Sequence, residues 1–139
     1  MIIVVDTNVF VSACLGQGAS LRVVSECLKG AHTPLMGAAL FAELEDVLAR
    51  APLFRNSRLD AGERSDLFDI FLANCRWTRI YFAWRPNLKD EGDNHLVELA
   101  IAGGASHIVT NNVRDFQNPE LNFKHFLALT PAQFLQEQT

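Results

Sequence analysis

MIIVVDTNVF, residues 1–10, places four consecutive β-branched residues, Ile2 to Val5, directly before Asp6, Thr7 and Asn8. An uninterrupted apolar run of this kind suits a strand covered on both faces, as in a parallel sheet. Asp6 then stands at the carboxyl end of that strand, where open α/β sheets hold their ligands. A carboxylate there costs stability unless it meets a cation or caps a helix. Three further carboxylates, Glu43, Asp93 and Asp115, are spaced to reach the same point.

Strand and helix signals alternate along the whole chain, which predicts an α/β sandwich with a central parallel sheet. After Asp6 a short helix is expected over Asn8–Leu15. Ser20 is the expected cap of the next helix, with Leu21, Val24 and Leu28 at helical spacing and Gly30 closing it. Thr33–Met36 reads as the second strand. Over Ala38–Arg50, Leu40, Leu44, Val47 and Leu48 form one stripe; Glu43 sits on its shoulder while Glu45 and Asp46 point to solvent. Pro52 ends that helix and Asn56–Asp60 is a polar loop.

Ala61–Asn74 is the next helix, its inner side Leu67, Phe68, Phe71 and Leu72. A third strand is expected over Trp77–Phe82, then a loop from Pro86 to Asp93. A helix carrying Leu96, Val97, Leu99, Ala100 and Ile101 stops at Gly103 and Gly104. His107–Thr110 and Phe126–Leu129 complete the strands, and Thr130 with Pro131 opens a last helix as capping hydroxyl and first-turn proline. No repeat or linker divides residues 1–139, so one domain is expected.

The chain has 139 residues, 49% of them hydrophobic, enough for a substantial core. No run approaches membrane-spanning length, and the start is too quickly charged for a signal peptide. Cys14, Cys27 and Cys75 are odd in number and lack CxxC spacing, so they read as buried thiols in a reducing cytosol. The formal charge of −4 argues against binding nucleic acid through a broad basic surface. It leaves open an acidic site that meets phosphate through Mg²⁺ or Mn²⁺. Arg50, Arg55, Arg58 and Arg64 cluster in one stretch, available for RNA phosphates or a partner's acidic residues, or simply solvated.

Asp6 ends the first strand, Glu43 lies in the helix after the second, Asp93 opens the helix before the fourth, and Asp115 follows the fourth. Right-handed crossovers put these strand ends along one rim. Like charges so close persist only with cations or shared protons. Oxygen ligands without His or Cys suit Mg²⁺ or Mn²⁺, and the fitting chemistry is metal-assisted phosphodiester cleavage. Thr7, Asn8, Thr110 and Asn112 are placed to hold the carboxylates by hydrogen bonds, with a plain turn role as the alternative. The four histidines, at 32, 95, 107 and 125, show no ligand spacing and read as structural or exposed. Trp77, Tyr81, Phe82 and Trp84 can stack on bases, but core packing or a dimer surface is the plainer reading.

Asp6-Thr7-Asn8 after a β-run, Phe41-Ala42-Glu43-Leu44, Asp90-Glu91-Gly92-Asp93-Asn94 and Thr110-Asn111-Asn112-Val113-Arg114-Asp115-Phe116 resemble the ordered motifs of the PIN-domain family. The branch they are most similar to is that of the toxins of bacterial and archaeal toxin–antitoxin pairs, and the resemblance runs from Met1 to about Phe134. It implies a three-layer α/β/α sandwich and a Mg²⁺- or Mn²⁺-dependent endoribonuclease acting on single-stranded RNA in the cytoplasm. It also implies a homodimer inhibited by a cognate antitoxin. Asp6, Glu43 and Asp93 match the family's first three acids. Asn112 stands where many relatives carry the fourth, which leaves Asp115 to supply it, with Asp90 a further possible ligand.

Two rival readings have distinct signatures. A catalytically inactive PIN-like module for binding RNA or protein finds support in Asn112. A signalling receiver domain also gathers carboxylates at strand ends, but it needs paired acids after the first strand and a phosphoacceptor after the third; Asp6 stands alone.

Overall fold

The computed structural model describes residues 1–57, 59–80, 94–116 and 126–138. Five short strands form one parallel sheet: β1 (Ile2–Val5), β2 (Thr33–Met36), β3 (Arg76–Trp77), β4 (His107–Val109) and β5 (Leu127–Leu129). Their spatial order is β3-β2-β1-β4-β5, with every neighbouring pair parallel. The apolar run that opens the chain is therefore the central strand, and Ile3, Val4 and Val5 are buried as a strand covered on both faces requires. The order also excludes the receiver reading, whose sheet runs 2-1-3-4-5.

The helices are α1 (Thr7–Cys14), α2 (Gly18–Leu28), α3 (Ala38–Leu48), α4 (Ala61–Ala73), α5 (Asn94–Gly103) and α6 (Pro131–Glu137). Helix α5 packs across β1, β2 and β4, whereas α2 meets α1, α4 and α6. The result is the α/β/α sandwich expected. Phe10 of α1 anchors its helical layer against α4, with ring centroids 5.1 Å from Phe71 and 5.9 Å from Phe68. No helix among the described residues is long and apolar enough to cross a membrane.

Local chemistry explains most element boundaries. Gly30 and Gly104 follow α2 and α5 in the left-handed region, at φ +84° and +69°, which spares a side chain the steric penalty there. Thr130 accepts from the Gln133 amide at 3.2 Å while the Gln133 side chain accepts from the Thr130 amide, so α6 opens on a capping box with Pro131 in its first turn. Asp60 and Glu63 do the same for α4.

Five expectations need correction. Ser20 does not cap α2: the helix begins at Gly18 after Gln17, because Gly16 at φ +83° reverses the chain immediately after α1, and Ser20 is buried in the first turn. The third strand is Arg76–Trp77 within the described residues and does not extend on to Arg79 and Ile80; it pairs only with Leu35 and Met36, past Pro34, which has no N–H for a ladder. Trp77 is consequently an edge residue, 55% exposed, resting on Phe41 rather than in the core. Arg64 is neither solvated nor a phosphate contact: it is buried, lies 4.2 Å over the Phe54 ring and donates to the Leu59 carbonyl. Cys14 and Cys27 are buried as expected, but Cys75 is only partly covered. The expectations on Arg58, Tyr81, Phe82, Trp84, the loop from Pro86, Asp90, Asp93 and His125 lie outside the described residues.

Candidate metal-binding carboxylate site

The sheet ladder continues past the strand ends and fixes the rim of the site. The Asp6 amide donates to the Val109 carbonyl at 3.0 Å, the Thr110 amide to Leu129 at 2.9 Å and the Thr78 amide to Met36 at 2.8 Å. Asp6 and Thr110 are thus adjacent at the carboxyl edge of the two central strands, although 104 positions separate them. Asp6 is only 4% exposed and takes the extended conformation that precedes α1, with no capping bond from its side chain to that helix.

Asp6 Oδ2 accepts from the Thr110 hydroxyl at 2.7 Å and from Asn8 Nδ2 at 3.2 Å. Thr110 is fully buried, and its Oγ1 in turn accepts from the Asn112 amide at 3.0 Å. Asn8 Oδ1 accepts from the Asn111 amide at 3.1 Å. Two neutral side chains thereby lock one oxygen of Asp6 and tie it to the loop after β4. Asn8 and Thr110 both hydrogen-bond the Asp6 carboxylate. Asn112 contributes its backbone, not its side chain, to the contact with Thr110; the buried Thr7 hydroxyl has no hydrogen-bond partner among the described residues.

Burial, above all, raises the Asp6 pKa from its ordinary value. The Thr110 bond opposes that shift, the Glu43 charge adds to it, and the Thr7 backbone and His95 lower it. Asp6 therefore feels Glu43 and His95 directly. Glu43 lies in the second turn of α3 beside buried Leu40 and Leu44, while Glu45 and Asp46 face solvent, as the periodicity predicts. Its Oε2 meets His95 Nε2 at 2.7 Å.

Sequence reasoning missed His95. Its partner is 52 positions away, and ligand-spacing rules search only for histidines near other ligands in sequence. The one signal that could have found it was its place in the first turn of a helix opening on a suspected ligand.

The structure thus brings Asp6 and Glu43 together. Asp115 lies in a 3₁₀ turn, Val113–Phe116, its amide on the Asn112 carbonyl at 3.0 Å, and it is not among the groups acting on Asp6. Asp90 and Asp93 lie outside the described residues. Among the described residues no three of His, Cys, Asp and Glu converge as a ready metal centre. The donor chemistry nonetheless fits a hard divalent cation: a buried carboxylate with one oxygen anchored by neutral donors, facing a second carboxylate. Beside the site, at the end of β3, a cleft of about 570 Å³ is lined by Ala38, Ala39, Trp77, Thr78, Arg79 and Glu98.

A five-stranded parallel α/β/α sandwich with acids at its carboxyl rim defines a class of PIN-like architecture. The chain belongs to the PIN-domain family: the family's profile matches residues 2–114, which contain all but the last strand and helix. PIN domains are generally nucleases and generally use divalent metals. Among solved structures, the chain is similar to one from Rickettsia felis described as VapBC2 bound to a DNA fragment from their promoter. The identity is 20% and the TM-score 0.58, over 93% of this chain and 97% of that one. No match was found among curated proteins.

Proposed function

We propose that this chain is a metal-dependent endoribonuclease, the toxin of a toxin–antitoxin pair, cutting single-stranded regions of RNA. The observation that carries the reading is the buried Asp6 carboxylate, which makes no capping bond to the helix it precedes and feels the Glu43 charge. Asp6, Glu43 and Asp93 would hold Mg²⁺ or Mn²⁺, with Asp115 or Asp90 in support. When bound, the ion would activate water and stabilise the developing charge on the phosphate.

The protein's own residues have defined tasks in this scheme. Thr110 and Asn8 orient Asp6, and the Thr110 bond offsets part of its burial cost. The Asn111 and Asn112 amides brace those two residues. Exposed Trp77 and Arg79, at the adjacent cleft, offer a stacking face and a cation to a single strand. A duplex would bury the strand and keep its bases from such a surface. The description of the Rickettsia felis complex as VapBC2 favours a protein antitoxin as partner, and a homodimer in the cytoplasm completes the reading. Asn112 in place of an acid favours a second reading, a PIN-like module that binds RNA or protein without cutting.

The test is cleavage of a labelled single-stranded RNA with Mg²⁺, Mn²⁺ or EDTA by the wild type, Asp6→Asn and Asp93→Asn. Metal-dependent cutting lost in both variants is expected. No cutting by folded, antitoxin-free protein on several RNAs moves the conclusion to the binding module. Cutting that survives both substitutions refutes the assigned site.

A further inference from the structure

The contact between His95 and Glu43 joins the first turn of α5 to the second turn of α3, the two helices that meet beside Asp6. Nothing in the metal-binding reading requires a histidine there. Yet the ring is well placed: its side chain is 18% exposed, and Leu96, Val97, Leu99 and Ala100 of the same helix are buried. Glu43 is 42% exposed and has three side-chain torsions to fix. A carboxylate can only accept, so the 2.7 Å contact places the ring proton on Nε2 as donor. Nδ1 is buried with no hydrogen-bond partner among the described residues, which favours the tautomer that leaves Nδ1 bare.

We propose that His95 is a positioning residue: its Nε2–H holds the Glu43 carboxylate so that the acid faces Asp6 and a divalent cation bound between them. The inference rests on the metal-binding reading of Asp6 and Glu43 given above. Its physical basis is that a ligand carboxylate fixed by an outer hydrogen bond does not lose its rotamer freedom anew when the ion arrives. Glu43 Oε2 is the oxygen that the ring holds. His95 itself, already engaged at Nε2, is not a ligand.

The test is titration of the metal-stripped protein with Mn²⁺, followed by the electron paramagnetic resonance signal of the free ion, with circular dichroism confirming that each variant folds. Loss of an outer hydrogen bond of this kind costs about 10- to 100-fold in metal affinity, and that is the expected effect of His95→Ala. His95→Gln, which returns an N–H donor of similar reach, is expected to bind within about threefold of wild type. In a Glu43→Ala background, His95→Ala is expected to change affinity little, since the residue to be positioned is gone. Equal Mn²⁺ affinity in wild type and His95→Ala overturns the inference and leaves the carboxylate site intact. A loss that persists undiminished in the Glu43→Ala background overturns it also, by making His95 a ligand. A folded wild type that takes up no Mn²⁺ removes the carboxylate site and the inference together.

Discussion

Asp6 holds a buried charge at a cost, and that cost is measurable. Its pKa is raised in the folded protein, so folding favours the protonated form. The corresponding stability is present below the ordinary carboxylate range and is lost as pH rises through the raised folded value. Asparagine mimics the protonated acid and can still accept from Thr110. Metal-free Asp6→Asn should therefore melt higher than wild type at neutral pH, with the gain shrinking toward zero as pH falls below about 4. Mn²⁺ should raise the melting temperature of wild type and not of the variant. Asp6 was legible in the sequence because an acid at the end of four β-branched residues must bind a cation or cap a helix to offset its burial. His95 was not, because its meaning lies in a partner 52 positions away.

At the scale of elements, helical periodicity alone put Glu43 on the shoulder of α3 and sent Glu45 and Asp46 to solvent. Helix ends were readable for the same kind of reason: Gly30, Gly104 and the Thr130–Pro131 pair each have a backbone property that few other residues share. Strand length was less readable. Aromatics around Trp77 suggest a long third strand, but a strand extends only as far as its neighbour offers partners, and β2 offers two. The close approach of α5 to β2 makes a further prediction. A Cβ on Gly103 would run into the Leu35 side chain, which is itself buried and cannot withdraw. Gly103→Ala should destabilise by about 1–3 kcal/mol in denaturant unfolding, against the usual helix-interior preference for alanine.

Across the whole molecule, the edge opposite the acids is closed by histidines. His32 lies 3.5 Å from Glu26 and packs edge-on to Phe134 of α6; His107 meets Glu137 of α6 at 2.6 Å and contacts the same ring. Burial, foremost, lowers the His32 pKa; the amino terminus and His107 lower it further, while Glu26 opposes them. For a group depressed in the folded state, stability is present above the unfolded value of about 6.5 and is lost as pH falls from there through the folded value. Thermal stability should drop as pH goes below about 6.5, and His32→Gln should flatten that part of the profile relative to wild type. An unchanged slope in the variant would show that His32 does not carry the acid sensitivity.

Residue order alone was enough to set the succession of strands and helices, the two-sided burial of Ile2–Val5, and the positions of Asp6 and Glu43 relative to their own elements. Those features are local: they follow from residue spacing, turn chemistry and the cost of exposing apolar side chains. It took the folded chain to show that Asp6 leans on Thr110, that Glu43 is held by His95, that Arg64 turns inward over Phe54, and that Trp77 stands at an edge. Most of these are contacts between segments far apart in the chain, and all depend on how the elements pack. A side chain's partner is set by which elements the sheet order brings together, and no periodicity along the sequence encodes that.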